Sequence, residues 1–136
     1  MGRARHRVAV DAIVEVDSRI VLVKRGQDPF RGMWALPGGH VEEGEQVRDT
    51  VRREAREETG LDVAIDEILG VYDEPGRDPR GPVISIVYVC STEQEVLEAD
   101  TDAADADWSP VDDLPDELAF DHTEILDDYL AERDEF

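Results

Sequence analysis

Apolar residues alternate over 7–16. Val8, Val10, Ala12, Val14 and Val16 fall on one face and Arg7, Asp11 and Glu15 on the other, which is the two-residue period of a strand. Asp17-Ser18 reads as a turn and 19–25 as a second strand, closing a hairpin. Residues 26–32 form a loop containing Pro29, and 34–36 a short strand leading into Pro37-Gly38-Gly39. The period then changes. Val47, Val51 and Ala55 recur every four positions, the narrow apolar stripe of a helix. With Gly44 as N-cap, Glu45 in a first turn that favours negative charge, and Gly60 as a left-handed C-cap, the pattern predicts a helix over 45–59.

Beyond that helix, 62–72 reads as a strand bent in its middle and 73–82 as a turn-rich loop. Residues 83–90 are apolar on both faces except at Ser85, as suits a central strand covered on both sides. Residues 91–106 are polar and acidic, hence a loop, and Trp108 belongs to a short strand. Asp121 followed by Glu124 predicts a capping box for a last helix, whose apolar stripe is Leu126, Tyr129 and Leu130. There are no repeats. The expectation is one domain, 1–136, of the α/β (α+β) class with a single core.

Composition narrows the setting. No run of about 18 apolar residues exists, so no membrane partner is expected. The basic start is not followed by an apolar run with a cleavage site, so no signal peptide is expected. Cys90 is the single cysteine and has no disulfide partner in the chain. These features suit a cytoplasmic protein. The formal charge is −21, from 35 acidic and 14 basic residues, and Lys24 is the only lysine. Such a surface disfavours nucleic acid as a partner, since that needs cations against phosphate. At about 1 M salt the Debye length falls to about 3 Å and screens the self-repulsion, so the acidity suggests a halophilic, salt-adapted protein. The charge is uneven: residues 1–31 carry seven positive and four negative side chains, net +3, whereas 91–136 carry Arg133 against 18 acids, net −17. Cations for an anionic substrate therefore come from the N-terminal third.

The chemistry is concentrated in 39–61. The order is Gly39, five residues, Glu45, seven residues, Arg53-Glu54-Ala55, one residue, Glu57-Glu58, one residue, Gly60-Leu61. On a helix Glu54, Glu57 and Glu58 share one side, with Cβ atoms about 5–6 Å apart, and repel by about 0.2–0.5 kcal/mol per pair. A hard divalent cation reverses the sign of that interaction. Mg²⁺ takes oxygen ligands and commonly bridges carboxylates to substrate phosphates. Arg53 has two partners to choose from, Glu57 one turn on or Glu45 across the turn. The spacing from Gly39, Arg53 and Gly60 is what separates these acids from an ordinary solvated Glu/Arg face.

Residues 39–61 match the Nudix box, the signature of the Nudix hydrolases, at every fixed position, and Trp34-Ala35-Leu36-Pro37-Gly38-Gly39 before it is also typical. The chain resembles that family over nearly its whole length. The resemblance implies a three-layer αβα sandwich with a mixed central sheet. It implies Mg²⁺- or Mn²⁺-dependent hydrolysis of a nucleoside diphosphate linked to another group. It also implies Glu54 and Glu58 as principal metal ligands, with Glu57 close by and the carbonyl of Gly39 joining them. A homodimer is common among relatives and is left open. The segments 72–88, Val10-Asp11-Ala12-Ile13 and Leu118-Ala119-Phe120-Asp121-His122 resemble small ADP-ribose pyrophosphatases of the family. Pro82 departs from it, because family members often carry a His or similar residue there.

For the reaction, Glu57 and Glu58 are candidates to position or deprotonate a water, with Arg53 beside them. Glu95, Glu98, Asp100 and Asp102 of the acidic loop are further candidates. Arg77 or Arg80, on a proline-containing loop, suits a phosphate or ribose, because a guanidinium makes bidentate contacts. Lys24 and Arg25 are expected to split, one to the core edge and one to phosphate. Phe30 is the preferred ring for stacking on an adenine, ahead of Tyr72 and of Trp34, which reads as core. His6, His40 and His122 are too scattered for a metal site, and His122 is assigned to the helix start. The expected reaction is ADP-ribose plus water to AMP and ribose 5-phosphate. Its rivals are a nucleoside triphosphate pyrophosphohydrolase of the oxidised-dGTP type and a nucleotide-sensing regulator. The length, the charge and the intact glutamates disfavour the regulator.

Overall fold

The computed structural model describes residues 5–98 and 105–133. The alternation over 7–16 does form a strand, β1 (Arg7–Val16), but neither face is left to solvent between Ala9 and Val14. Asp11 therefore does not belong to an outward polar face, as the alternation had suggested. Val10, Ala12 and Val14 pack with Val51 and Ala55 of α1 (Val47–Thr59). Ile13, on the opposite face, packs with Ile125 and Leu126 of α2 (His122–Arg133). A strand with a helix on either side is the middle of the expected three-layer sandwich, and it puts Asp11 on the α2 side.

The hairpin turn at Asp17 and Ser18 has positive φ at both residues, 52° and 61°, a geometry that follows the twist of the strands. It leads into β2 (Arg19–Lys24), which pairs with β1 at the hairpin end, with β3 (Trp34–Ala35), and on its other edge with β7 (Ala106–Pro110). β1 also runs parallel to β6 (Val83–Ser91), from Arg7↔Val83 to Val14↔Cys90. β6 is antiparallel to β5 (Ala64–Tyr72), whose register shifts near Glu67 and Gly70 are the expected bend. The sheet is thus mixed. Burial pushes the Cys90 thiol on β6 up to about 12.

One strand carries no periodicity to announce it. β4 (Gly38–His40) pairs antiparallel with β1, Val10 opposite Gly39 and Asp11 opposite Gly38. Two glycines alternate nothing, and it is the free edge of β1 that makes this segment a strand.

Both helix starts differ from the sequence reading. α1 begins at Val47 with Gln46 as an N-cap that makes no side-chain cap bond, and Gly44 (φ 85°) lies in the preceding turn. Glu45 folds back instead, accepting from the Glu42 N–H and the Thr50 hydroxyl at 3.0 Å each. The left-handed cap at Gly60 (φ 78°) is as predicted. At α2, the Asp121 carboxylate accepts from Nε and Nη2 of Arg77 at 2.9 and 2.8 Å, so it serves a guanidinium rather than a capping box. The Thr123 hydroxyl accepts from the Leu118 N–H at 2.9 Å. At the far end of the helix, Tyr129 and Arg133 donate to Glu15 of β1, at 2.6 and 2.7 Å. Among the described residues no helix is long and apolar enough to cross a membrane.

Candidate active site

β4 delivers two glycines to the flank of α1. The Gly38 N–H donates to Glu58 Oε1 at 3.0 Å. A Cβ on Gly39 would lie 2.5 Å from Cδ of Glu54 and 2.6 Å from its Oε1, so the Glu54 carboxylate rests directly against bare backbone. Glu54 and Glu58, one turn apart, are close enough for each carboxyl to shift the other. Burial pushes the Glu58 carboxyl well above the usual range, and the charge of Glu54 pushes it further, with the Gly38 N–H opposing. Burial likewise raises Glu54, with the neighbouring Glu58 carboxyl and the charge of Arg53 opposing. Two half-buried carboxylates this close resist ionising together without a compensating positive charge.

Arg53 makes both expected pairings at once. Its Nε and Nη2 donate to Glu45 at 2.7 and 3.0 Å, and its Nη1 reaches Glu54 at 2.9 Å and Glu57 at 3.2 Å. The hydrogen bond from Arg53 holds the Glu45 carboxyl down to about 2. One guanidinium thus binds the loop ahead of α1 to two of the three clustered acids.

These acids form one wall of a cavity of about 640 Å³. Lys24, Arg25, His40, Arg80 and Phe120 line the same cavity. The guanidinium carbons of Arg25 and Arg80 lie 4.8 and 5.8 Å from the Phe120 ring centroid. Nε of Arg25 donates to the Pro29 carbonyl at 2.7 Å, and Arg80 donates through Nε and Nη2 to Asp78 at 3.1 and 2.8 Å. Burial lowers the Arg25 pKa and the charge of Arg80 lowers it further, with Glu58 and Asp78 opposing.

Asp11 and His122 also line this cavity. Ser85 Oγ donates to Asp11 Oδ2, and His122 Nε2 lies 3.5 Å from Asp11 Oδ1. His122 Nδ1 accepts from the Leu36 N–H at 3.0 Å, which assigns the ring proton to Nε2, facing Asp11. Burial lowers the His122 pKa, with Asp11 opposing, so the ring is held neutral.

Among the described residues no three His, Cys, Asp or Glu side chains converge on one point. The donor set is narrower: the neighbouring pair Glu54 and Glu58, the backbone of Gly39 against Glu54, and Glu57 with a half-exposed side chain. All are oxygen donors, and the pair is buried enough to want a positive charge, so these residues fit a hard divalent cation.

The other candidates divide. Glu57, Arg25, Arg77 and Arg80 line the cavity, but the Arg77 side chain is only 5% exposed and is committed to Asp121. Lys24 and Arg25 do not split between core and cavity, because both line it. Phe30 is not among the lining residues and stands behind Phe120, ring centroids 4.8 Å apart at 62°. Trp34 packs on the α2 side of the core, as does Tyr72, whose hydroxyl donates to Asp128 at 2.8 Å. Glu95 pairs with Arg19 at 2.9 Å, and the Glu98 N–H donates to the Thr59 carbonyl at 2.8 Å; neither residue lines the cavity. Asp100 and Asp102 lie outside the described residues. Pro82 accepts from the Arg7 N–H and does not line the cavity. His40 and His122, far apart in sequence, meet there. The sequence reading missed Phe120, Asp11 and Asp78. Only Asp11 left a signal, as an acid in an otherwise apolar run.

Comparison with known proteins agrees with this geometry. A family model described as NUDIX domain matches residues 5–129. An ADP-ribose pyrophosphatase of Methanocaldococcus jannaschii is 50% identical over 123 residues, 90% of this chain and 72% of that protein. The NUDIX domain of Shewanella oneidensis NrtR, solved with ADP ribose, superposes with a TM-score of 0.82 at 27% identity, covering 95% of this chain and 89% of that one. A bifunctional NMN adenylyltransferase/ADP ribose pyrophosphatase of Francisella tularensis, solved with AMP and a Mn ion, gives a TM-score of 0.80 at 30% identity. The match covers 97% of this chain and 43% of that one.

Proposed function

This chain belongs to the Nudix family and is a Nudix hydrolase, and on that premise we propose that it hydrolyses ADP-ribose to AMP and ribose 5-phosphate. The observation that carries the reading is the pairing of two walls in one cavity. Glu54 lies against Gly39 and Glu58 takes the Gly38 N–H, and Arg25 and Arg80 line the same cavity. A diphosphate needs both, a cation held by acids and guanidinium groups for its remaining charge. The named activity of the Methanocaldococcus relative supports the choice of ADP-ribose.

Glu54, Glu58 and the carbonyl of Gly39, with Glu57 beside them, would hold a divalent cation, Mg²⁺ in the first place and Mn²⁺ as its substitute. When bound, it supplies positive charge against the charge that develops on the diphosphate. Glu57, with its half-exposed side chain, takes the proton of the attacking water, with Glu58 as the alternative base. Arg53 keeps Glu45, Glu54 and Glu57 in place. Arg25 and Arg80 bind the anion. Arg77 stiffens their wall through Asp121, and Phe30 does so through Phe120. Water adds to one phosphorus, the bridging P–O bond breaks, and the proton leaves through the carboxylate.

A substrate panel with Mg²⁺, at low and at molar KCl, tests this. AMP and ribose 5-phosphate from ADP-ribose are expected. Pyrophosphate released from an oxidised dGTP, with ADP-ribose untouched, would overturn the choice. Melting at the two salt concentrations tests salt adaptation, which predicts a higher melting temperature in molar KCl; equal values would refute it.

A further inference from the structure

We infer that Phe120 is a positioning residue whose ring holds Arg25 and Arg80 side by side as a two-pronged clamp for a phosphoryl group of the substrate. This rests on the reading of the cavity as a diphosphate site and adds how its cationic wall is assembled. Two guanidinium groups approach the same ring, at 4.8 and 5.8 Å. The charge of Arg80 disfavours that of Arg25, and the negative face of an aromatic ring offsets part of that cost by attracting both. Each arginine is anchored through only some of its donors. Arg25 uses Nε on the Pro29 carbonyl, and Arg80 uses Nε and Nη2 on Asp78. Among the described residues Nη1 and Nη2 of Arg25 and Nη1 of Arg80 have no hydrogen-bond partner, and both residues line the cavity. Arg77 is the contrast, nearly buried and bound bidentately by Asp121.

The ring is itself held firmly. Phe120 has φ 55°, a left-handed conformation that a bulky side chain adopts only under surrounding constraint. The constraint is visible. Phe30 packs edge-on against the ring, the His122 ring lies 5.4 Å away, and the neighbouring Ala119 N–H donates to the Trp34 carbonyl at 2.9 Å. The result is three donors from two cations, held at one ring in a cavity that Glu54, Glu57 and Glu58 also line. That arrangement matches the several oxygens of a phosphoryl group.

Inorganic pyrophosphate, titrated calorimetrically into the full chain without divalent cation, is the probe. Phe120→Leu keeps an apolar filler and loses the ring face, and it should weaken binding roughly three- to tenfold. Phe120→Tyr keeps the face and should restore most of the affinity. Arg25→Gln should weaken binding about tenfold. Parent-like affinity in Phe120→Leu, or no binding by the parent protein, would overturn the clamp. If the leucine variant does not fold, the cycle of Arg25→Gln with Arg80→Gln decides. A clamp makes their losses non-additive, and additive losses would overturn it. Failure to hydrolyse ADP-ribose would sink the substrate assignment and leave these binding results standing.

Discussion

The two walls of the cavity are built in opposite ways. Arg53, Glu54, Glu57 and Glu58 come from the last two turns of one helix, so their proximity follows from 3.6 residues per turn, with Gly60 closing the helix just beyond them. Arg25, Arg80 and Phe120 come from just after β2, the loop before β6 and two residues before α2. Nothing local brings them together. They meet because β2 pairs with β1, β1 pairs with β6, and α2 packs on the sheet. The difference teaches where function tolerates change. The acidic wall should be sensitive in chemistry and robust in folding, and the cationic wall should show the reverse wherever a side chain is also a strut.

Glu58→Gln is the strongest test of that contrast. Its amide oxygen still accepts the Gly38 N–H, and the variant removes a half-buried charge beside Glu54, so melting should be unchanged or higher. Turnover should fall by about a thousandfold or more, on the scale of losing a central electrostatic group. Near-normal turnover would remove Glu58 from the site. On the other wall, Arg77→Met strands Asp121, whose side chain is 12% exposed, and should cost about 3 kcal/mol in urea denaturation. If instead stability holds and KM rises, Arg77 is a substrate contact and the contrast fails. Gly39→Ala comes next. A methyl there would displace the end of the Glu54 side chain rather than any backbone. It should therefore lower turnover about tenfold with little loss of stability. A large stability loss would show Gly39 to be a strut as well.

The same contrast explains what was legible in the chain. The strands 7–16 and 83–90, the stripe of α1 and the cap at Gly60 were readable because each is a local period or a local backbone need. The three glutamates were readable for the same reason. β4 was not, since two glycines have no alternation and only the edge of β1 defines them as a strand. Asp121 read as a cap until Arg77, 44 residues away in sequence, took its carboxylate. Phe30 read as the stacking ring because it lies in a proline-containing loop, whereas the fold interposes Phe120. Asp11 read as solvent-facing because alternation reports two faces without saying that the second is covered by α2.

pH separates the two sides of the cavity most finely, because their buried groups respond with opposite sign. His122 has a folded-state pKa below its ordinary value of about 6.5, burial being the main cause. The unfolded chain therefore takes up that proton first. The contribution of neutral His122 is complete above about pH 6.5 and is lost as pH falls below it, at up to ~1.4 kcal/mol per pH unit. Glu58 has a folded-state pKa above its ordinary value, again mainly through burial. Here the folded chain takes up the proton first, so stability rises as pH falls toward the carboxylate range. Without divalent cation, urea midpoints between pH 7.5 and 5.5 should reflect both slopes. His122→Asn, whose side-chain oxygen is suited to accept the Leu36 N–H, should remove the loss on acidification. Glu58→Gln should remove the gain and leave that loss steeper than in the parent. If both variants change the slope in the same direction, the neutral histidine beside Asp11 and the raised carboxyl beside Glu54 are not the opposed pair that the two sides of this cavity require.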